Sequence, residues 1–160
     1  HGLLYAIDNR FEVFFIHQSF WKDQSEARTV YPIAIKESQN RWYLICHDVD
    51  KKEIRNFGLD RISKLKITDK KFNPIAFDVV NHYQHAFGVE TYQPAQKIIL
   101  KFSASQSKYI KSLPLHTSQE LISEDEENCH FAYFMHPTQD FVMEILKYGD
   151  EVTVIAPDTL

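Results

Sequence analysis

The sequence predicts an α+β protein, with a small antiparallel β-barrel followed by a ferredoxin-like βαββαβ domain. In the first half, short runs of alternating apolar residues recur about every ten residues, as the strands of small barrels do. The second half has the order strand, helix, strand, strand, helix, strand, which is the split βαβ arrangement. The 160 residues include 12 Phe, 8 Tyr and 2 Trp but only 4 Gly, a composition typical of packed β-rich structure.

The first half predicts five strands that are separated by polar turns. Alternation of apolar residues places them at 11–20, 28–36, 41–49, 53–59 and 62–67. Pro32 restricts the second strand to a sheet edge or to a bulge, because proline cannot donate a hydrogen bond to a neighbouring strand. Gly58 marks a further candidate bulge in the fourth strand. Trp42 and Leu44 share one face of the third strand, and we expect both in the core.

The connection between the two halves contains a predicted helix. Residues 72–77 are expected to form an extended crossover, after which Asp78 caps a helix through Phe87, with Gly88 just beyond its carboxyl end. Residues 90–96 have the composition of a linker. These features predict two domains, residues 1–90 and residues 91–160.

The second half predicts four strands and two helices. The strands are expected at 97–103, 118–123, 129–135 and 151–156. Ser103 and Gln106 have the spacing of a capping box, which opens a helix that runs to Leu113. Thr138 caps the second helix, and Gly149 ends it.

The charge of the chain is divided unequally between its halves. The net charge is −4, which excludes a nucleic-acid binder driven by bulk charge. Residues 1–80 contain 13 Lys and Arg against 11 Asp and Glu, whereas residues 81–160 contain 5 against 11. All five Arg lie within the first 61 residues. Because Arg is the cation best shaped for phosphate or carboxylate, a polyanion site is expected in the first half.

Two features predict a cytoplasmic protein without a membrane partner. Cys46 and Cys129 have no short-range partner, so we expect buried free thiols and a reducing compartment. No uncharged apolar run approaches the ~18 residues that a membrane span needs.

An ordered set of motifs runs from the first strand to residue 62. Its members are a strand of alternating apolar residues that ends near His17, then Arg28-x-x-x-Pro32, Arg41-Trp42-Tyr43-Leu44 and Arg55-x-Phe57-x-Leu59-Asp60-Arg61-Ile62. In this order the set resembles the WYL domain, which is named for the tripeptide at residues 42–44. The second half resembles the C-terminal extension that often follows a WYL domain, on the motifs Leu115-His116-Thr117-Ser118-Gln119 and Leu146-x-x-Gly149-Asp150-Glu151-Val152.

The resemblance implies a fold, a function and partners. It implies an Sm-like, SH3-type barrel within a bacterial transcription regulator whose winged helix-turn-helix precedes the barrel. The barrel would sense an oligonucleotide or nucleotide-like effector, and the extension would support a homodimer. The chain begins at His1-Gly2 without Met, so we expect a fragment that contacts operator DNA only through a missing N-terminal domain.

The resemblance and the residue types together select six candidate ligand-binding residues: His17, Arg28, Tyr31, Tyr43, Arg55 and Arg61. Guanidinium groups bind phosphate oxygens in bidentate fashion, and Tyr or His offers a stacking face or a polar tip. Spacing alone favours the alternative of solvated Arg and packed aromatics; the resemblance reverses this for the arginines. Where many family members carry Tyr, this chain has His17, and an imidazole adds pH dependence.

No motif for catalysis or for a cofactor stands out. The sequence contains no G-x-S-x-G, P-loop, H-E-x-x-H or Rossmann glycine pattern, and its eight His lack zinc-ligand spacing. We therefore predict no enzyme, no catalytic residue, no metal and no cofactor. Asp60 and Arg61 are expected to form a structural ion pair. The remaining alternatives are a protein-interaction and dimerisation scaffold and, least favoured, an enzyme that acts on nucleic acid.

Overall fold

Strand pairing divides the protein into two antiparallel sheets. The computed structural model describes residues 2–21 and 23–160, and the chain separates into two compact units, residues 1–79 and 80–160. The predicted α+β class is confirmed. Residues 80–90 pack with the second unit, since Tyr83 and Ala86 are buried and Phe87 packs against the second core. The predicted domain boundary after residue 90 stays a prediction.

The first unit is a barrel-like sheet with a short helix against it. Its elements are α1 (Gly2–Asn9), β1 (Phe11–Gln18), β2 (Ser25–Ser38), β3 (Arg41–Asp48), β4 (Glu53–Gly58), a 3-10 turn (Leu59–Arg61) and β5 (Ile62–Lys71). The sheet order is β4-β3-β2-β1-β5, so the last strand returns to pair with the first. This return gives the sheet the topology of a small barrel. The core is formed by Leu3, Ala6, Val13, Phe15, Val30, Leu44, Cys46 and Phe57.

Three predictions within this sheet have different outcomes. The register of β2 against β3 shifts between Pro32 and Ala34, which confirms the bulge alternative at the proline. Gly58 pairs with Tyr43 without a shift, so it is not a bulge. Trp42 was expected in the core, but it is 52% exposed while Leu44 is buried. The alternation of β3 is regular, yet Trp42 is the second residue of the strand and lies beyond the end of the core.

The second unit has the predicted ferredoxin-like order. Its elements are α2 (Val79–Tyr83), β6 (Gln96–Ser103), α3 (Ala104–Ser112), β7 (Glu120–Glu124), β8 (Asn128–Met135), α4 (Gln139–Leu146), a 3-10 turn (Gly149–Glu151) and β9 (Val152–Ala156). The sheet order is β7-β8-β6-β9. The Ser103 hydroxyl accepts a hydrogen bond from the Gln106 backbone N–H at 3.2 Å, which confirms the helix start. Gly149 has φ +55°, as expected of a residue that ends a helix in the left-handed region.

The helix predicted over residues 78–87 is much shorter, because α2 ends at Tyr83. After it the chain makes a tighter turn, in which the Ala86 N–H donates to the Tyr83 carbonyl at 3.0 Å. The carbonyl of Gln84 contacts a ring nitrogen of His116 at 2.8 Å, and the carbonyl of His85 accepts from the His136 backbone N–H at 2.8 Å. These bonds fix the segment to other elements of the second unit.

Candidate functional site

Four of the six predicted residues converge at one end of the barrel-like sheet. In register, Arg28 pairs with Phe15 and Arg55 pairs with Cys46, so both arginines lie on the face that carries the core. His17 follows Phe15 by two residues and shares that face. Arg61 precedes Ile62, which pairs with His17. We call this set, His17, Arg28, Arg55 and Arg61, the cation cluster.

The buried ring of Phe57 forms the floor of the cation cluster. The imidazole of His17 meets it edge-on, with 4.9 Å between ring centroids. The guanidinium carbon of Arg55 lies 5.1 Å from the Phe57 ring centroid, within the range of a cation–π contact. The Phe15 ring packs against Phe57 from the core side, at 5.3 Å. The cluster therefore stands directly on the hydrophobic core, which fixes its position.

A buried carboxylate, Asp48, joins two arginines of the cluster. Its Oδ1 accepts hydrogen bonds from the backbone N–H groups of Asp50 and Lys51, at 3.0 and 3.1 Å. Its Oδ2 lies 3.4 Å from Arg55 Nη1 and 4.0 Å from Arg28 Nε. Asp48 is not among the six predicted residues. The sequence does carry a local sign of its role, because it is a carboxylate at the end of an apolar strand. Its side chain accepts hydrogen bonds from the turn that follows.

Glycine at position 58 leaves room for the Arg61 side chain. A Cβ atom at Gly58 would lie 2.7 Å from Arg61 Nη2 and 2.8 Å from Asp60 Oδ1. The predicted ion pair between Asp60 and Arg61 is confirmed, with 3.8 Å between Oδ1 and Nε. The Arg61 guanidinium also lies over the ring of Phe20, 4.4 Å from its centroid. Arg61 is thus held between an aromatic ring and a carboxylate, and its side chain is 19% exposed.

Three nitrogen atoms of the cation cluster are buried and make no hydrogen bond within the described part of the chain: His17 Nε2, Arg28 Nε and Arg61 Nε. Arg28 is ion-paired with Glu26 through another nitrogen, and its side chain is 12% exposed. A buried donor without an acceptor costs free energy, so native proteins satisfy nearly all of them. Two of the three face a carboxylate just beyond hydrogen-bond distance, since Arg28 Nε lies 4.0 Å from Asp48 Oδ2 and Arg61 Nε lies 3.8 Å from Asp60 Oδ1.

The pKa of His17 is lowered from its ordinary value. Burial is the largest cause, and the positive charges of Arg61, Arg28 and Arg55 follow in that order. Glu26 opposes the shift. Burial, and after it the three arginines, therefore favour the neutral imidazole over the imidazolium.

Tyr31 and Tyr43 lie on the opposite face of the sheet from the cation cluster. Tyr31 is three residues from Arg28 along β2, and residues an odd number apart in a strand face opposite sides. Tyr43 pairs with Gly58, whereas the cluster face of β3 carries Leu44, Cys46 and Asp48. The ring of Tyr31 stacks with those of Phe72 and His47 instead. As ligand-binding residues all six remain predictions, but only four of them are brought together.

The described residues contain neither a candidate metal site nor a membrane-spanning helix. No group of three or more His, Cys, Asp or Glu side chains within residues 2–21 and 23–160 could hold a metal ion. In the same part of the chain, no helix has the length and apolar character needed to cross a membrane.

Two family models match the chain, one in each unit. Residues 2–67 match the WYL domain, and residues 94–160 match the WCX domain. The barrel-like sheet and the ferredoxin-like sheet are therefore a WYL domain followed by a WCX domain.

The chain thus belongs with the proteins in which a WYL domain is followed by a WCX domain. It is 42% identical over 60 residues to Protein PafB of Mycobacterium tuberculosis and of Mycobacterium bovis. These 60 residues are 38% of this chain and 18% of PafB, so the chain spans only a small part of those relatives.

Two solved structures are similar over 99% of the chain. One is described as proteasome accessory factor B/C (PafBC) of Arthrobacter aurescens, with 19% identity, a TM-score of 0.48 and 24% of its own chain covered. The other is described as a CRISPR Cas-related protein, with 11% identity, a TM-score of 0.60 and 46% of its chain covered. The second structure supports the fold and nothing beyond it.

Proposed function

We propose that this chain is the effector-sensing and dimerisation region of a bacterial transcription regulator. In this proposal the WYL domain, an Sm-like barrel, binds an oligonucleotide or nucleotide-like anion at the cation cluster. The observation that supports the proposal is the convergence of three arginines on one histidine, where three buried nitrogen atoms make no hydrogen bond within the described residues. Phosphate oxygens are the acceptors that such a cluster suits best. The role is regulatory rather than enzymatic.

The partial charge balance of the cluster favours a ligand of moderate charge over bulk nucleic acid. Asp48, Glu26 and Asp60 each lie within 4.0 Å of an arginine of the cluster. These carboxylates position the guanidinium groups and offset much of their charge, so affinity depends on hydrogen-bond geometry rather than on charge alone. Short single-stranded segments fit this requirement, since an aromatic floor and cationic walls are the usual elements of such sites.

In the proposal, ligand binding is coupled thermodynamically to the arrangement of the dimer. A ligand changes the regulator only if it binds two arrangements of the protein with different affinity. We infer that the WCX domain supports a homodimer, and that ligand binding shifts this dimer between two arrangements. A DNA-binding domain elsewhere in the longer protein would then contact the operator. The location that goes with this role is cytoplasmic.

A titration with a labelled single-stranded oligonucleotide tests the site. Arg61→Gln removes a buried donor without leaving Asp48 unpaired, and we expect it to weaken binding about tenfold or more, as lost charged hydrogen bonds do. Arg10→Gln is the matched control, because it removes the same charge from the same unit at an exposed turn. Anisotropy of the label reports the affinity, and light scattering reports the oligomeric state.

Two outcomes would reject the site. Equal weakening by Arg61→Gln and Arg10→Gln would mean that only net charge matters. An intact dimer with no affinity for any oligonucleotide or nucleotide would favour the alternative, a dimerisation scaffold that binds no small ligand.

A further inference from the structure

A cavity of about 410 Å³ opens on the face of the first unit's sheet opposite the cation cluster. Its lining residues are Tyr31, His47, Lys71, Phe72, Asn73 and Ile75. Tyr31 and His47 are cross-strand partners of β2 and β3, and the others follow from the end of β5. The volume lies within the range of small-molecule sites. None of these residues belongs to the cation cluster.

Aromatic rings form one wall of this cavity. The ring of Tyr31 is nearly parallel to that of Phe72, with 4.7 Å between centroids and 15° between planes. It is also nearly parallel to the imidazole of His47, at 5.8 Å and 17°. Three aligned rings at the mouth of a cavity offer faces and edges on which a further flat ring can pack.

The cavity has few polar groups, and most of them can donate a hydrogen bond to an anion. The Nδ1 atom of His47 is buried and makes no hydrogen bond within the described chain. Asn73 contributes an amide and Lys71 an ammonium group, whereas no carboxylate lines the cavity. The Lys70 ammonium lies 6.0 Å from the Tyr31 ring centroid, although Glu12 pairs with it at 3.6 Å. The Lys71 ammonium lies 5.1 Å from the Phe11 ring centroid, and together with an amide and an imidazole it suits a single negative charge.

We propose that this cavity is a second ligand site, which binds a small planar aromatic carboxylate. The aromatic wall packs against the ring, Lys71 attracts the carboxylate, and the Asn73 amide donates a hydrogen bond to it. The proposal is independent of the effector proposed for the cation cluster. Guanidinium groups bind phosphate in bidentate fashion, whereas a lone ammonium is a point charge. The two faces of the sheet therefore differ in the anion they select.

The test uses the intact chain and two probes, 4-hydroxybenzoate and its neutral analogue 4-hydroxybenzamide, in ligand-observed NMR titrations. We expect the carboxylate to bind at millimolar concentration and the amide to bind about tenfold more weakly. Lys71→Gln should weaken carboxylate binding about tenfold, and Tyr31→Leu should weaken both probes. Lys97→Gln, in the second unit, is the charge-matched control and should leave binding unchanged.

The variant Arg61→Gln separates the two sites. It should leave 4-hydroxybenzoate binding unchanged, even though it weakens oligonucleotide binding. Circular dichroism of Tyr31→Leu checks that the unit stays folded. If this variant unfolds, the comparison of Lys71→Gln with the original chain still tests the site. No binding of 4-hydroxybenzoate at millimolar concentration would overturn the second site. Equal binding by Lys71→Gln and the original chain, or loss of binding in Arg61→Gln, would do so as well.

Discussion

The two units differ in how they satisfy buried polar atoms. Four buried side-chain nitrogen atoms within the described residues make no hydrogen bond, and all four belong to the first unit: His17 Nε2, Arg28 Nε, His47 Nδ1 and Arg61 Nε. The described part of the second unit contributes none. Such atoms destabilise a fold, and within the described residues this cost falls on the unit to which we assign the ligand site in our proposal.

The second unit uses its polar side chains to fasten its own backbone. His116 Nδ1 accepts from the Ser118 backbone N–H at 3.0 Å, which leaves Nε2 to donate to the Gln84 carbonyl at 2.8 Å. Gln119 Oε1 accepts from the Leu115 backbone N–H and from the Tyr133 hydroxyl, while its Nε2 donates to the Ile110 carbonyl. The motif at residues 115–119, which carried the family resemblance, thus secures the connection between α3 and β7. The difference fits our proposal, in which the first unit recognises a ligand while the polar side chains of the second unit stabilise its own fold.

The largest effect is expected from removing the carboxylate that organises the cation cluster. Asp48→Ala should destabilise the protein by about 3–5 kcal/mol, because it leaves buried guanidinium groups and two turn N–H groups without their acceptor. Urea unfolding followed by circular dichroism measures the change. Asp60→Ala removes a half-exposed carboxylate from the same unit and should cost less than about 1 kcal/mol. If both variants cost the same, Asp48 does not organise the cluster.

A smaller effect is expected from the stabilising network of the second unit. Gln119→Ala should cost about 2 kcal/mol of unfolding free energy, because three hydrogen bonds are lost and their partners stay partly buried. Oligonucleotide affinity should not change. Gln139→Ala, at an exposed position of α4, is the control and should stay within about 0.5 kcal/mol. A loss of affinity in Gln119→Ala would contradict the division between recognition and stability.

The smallest effect concerns pH and the cation cluster. Because the pKa of His17 is lowered in the folded protein, the unfolded chain takes up this proton first as pH falls. The contribution of His17 to stability is therefore present above its unfolded pKa, about 6.5, and is lost as pH falls towards the folded pKa.

A bound anion favours the protonated imidazole, so oligonucleotide affinity should rise as pH falls from about 7.5 to about 5.5. Phosphodiesters keep their charge over this interval, so the slope reports on the protein. His17→Gln should flatten the slope while leaving the affinity at the upper end nearly unchanged. An equally steep slope in His17→Gln would remove His17 from the site. His116→Gln, in the second unit, should leave the slope of affinity intact.

Periodicity and end signals were sufficient for most of the element order, and Ser103 starts α3 through a local hydrogen bond. They did not give every end, since α4 ends at Leu146 and not at Gly149. They were insufficient wherever a distant partner decides the outcome. The segment after Tyr83, predicted as helix to residue 87, is bonded through its carbonyls to His116 and His136, and no local pattern contains these contacts. Alternation placed Trp42 on the correct face of its strand. It could not show that this residue, near the strand's end, is exposed and not buried in the core.

The candidate site was predictable in part for the same reason. The motifs that carry the family resemblance brought forward the arginines, together with His17 at the end of the first strand. Alternation within β2 already separates Arg28 from Tyr31, but relating residues on different strands needs the register, which depends on turn closure and on the bulge at Pro32. Asp48 gains its importance only once β3 pairs with its neighbours, so a single strand could not reveal it.

Tryptophan fluorescence distinguishes the two units, because both tryptophans belong to the first unit. Trp21 and Trp42 are the only tryptophans of the chain, both lie in the first unit, and they are 93% and 52% exposed. Their neighbourhood is shared, because Phe20 adjoins Trp21 and Arg41 adjoins Trp42, and the Arg41 guanidinium lies 5.6 Å from the Phe20 ring centroid. Intrinsic emission excited in the indole band therefore originates beside the cation cluster and none of it from the second unit. The sequence carries its own spectroscopic reporter at the end of the barrel where a ligand would arrive.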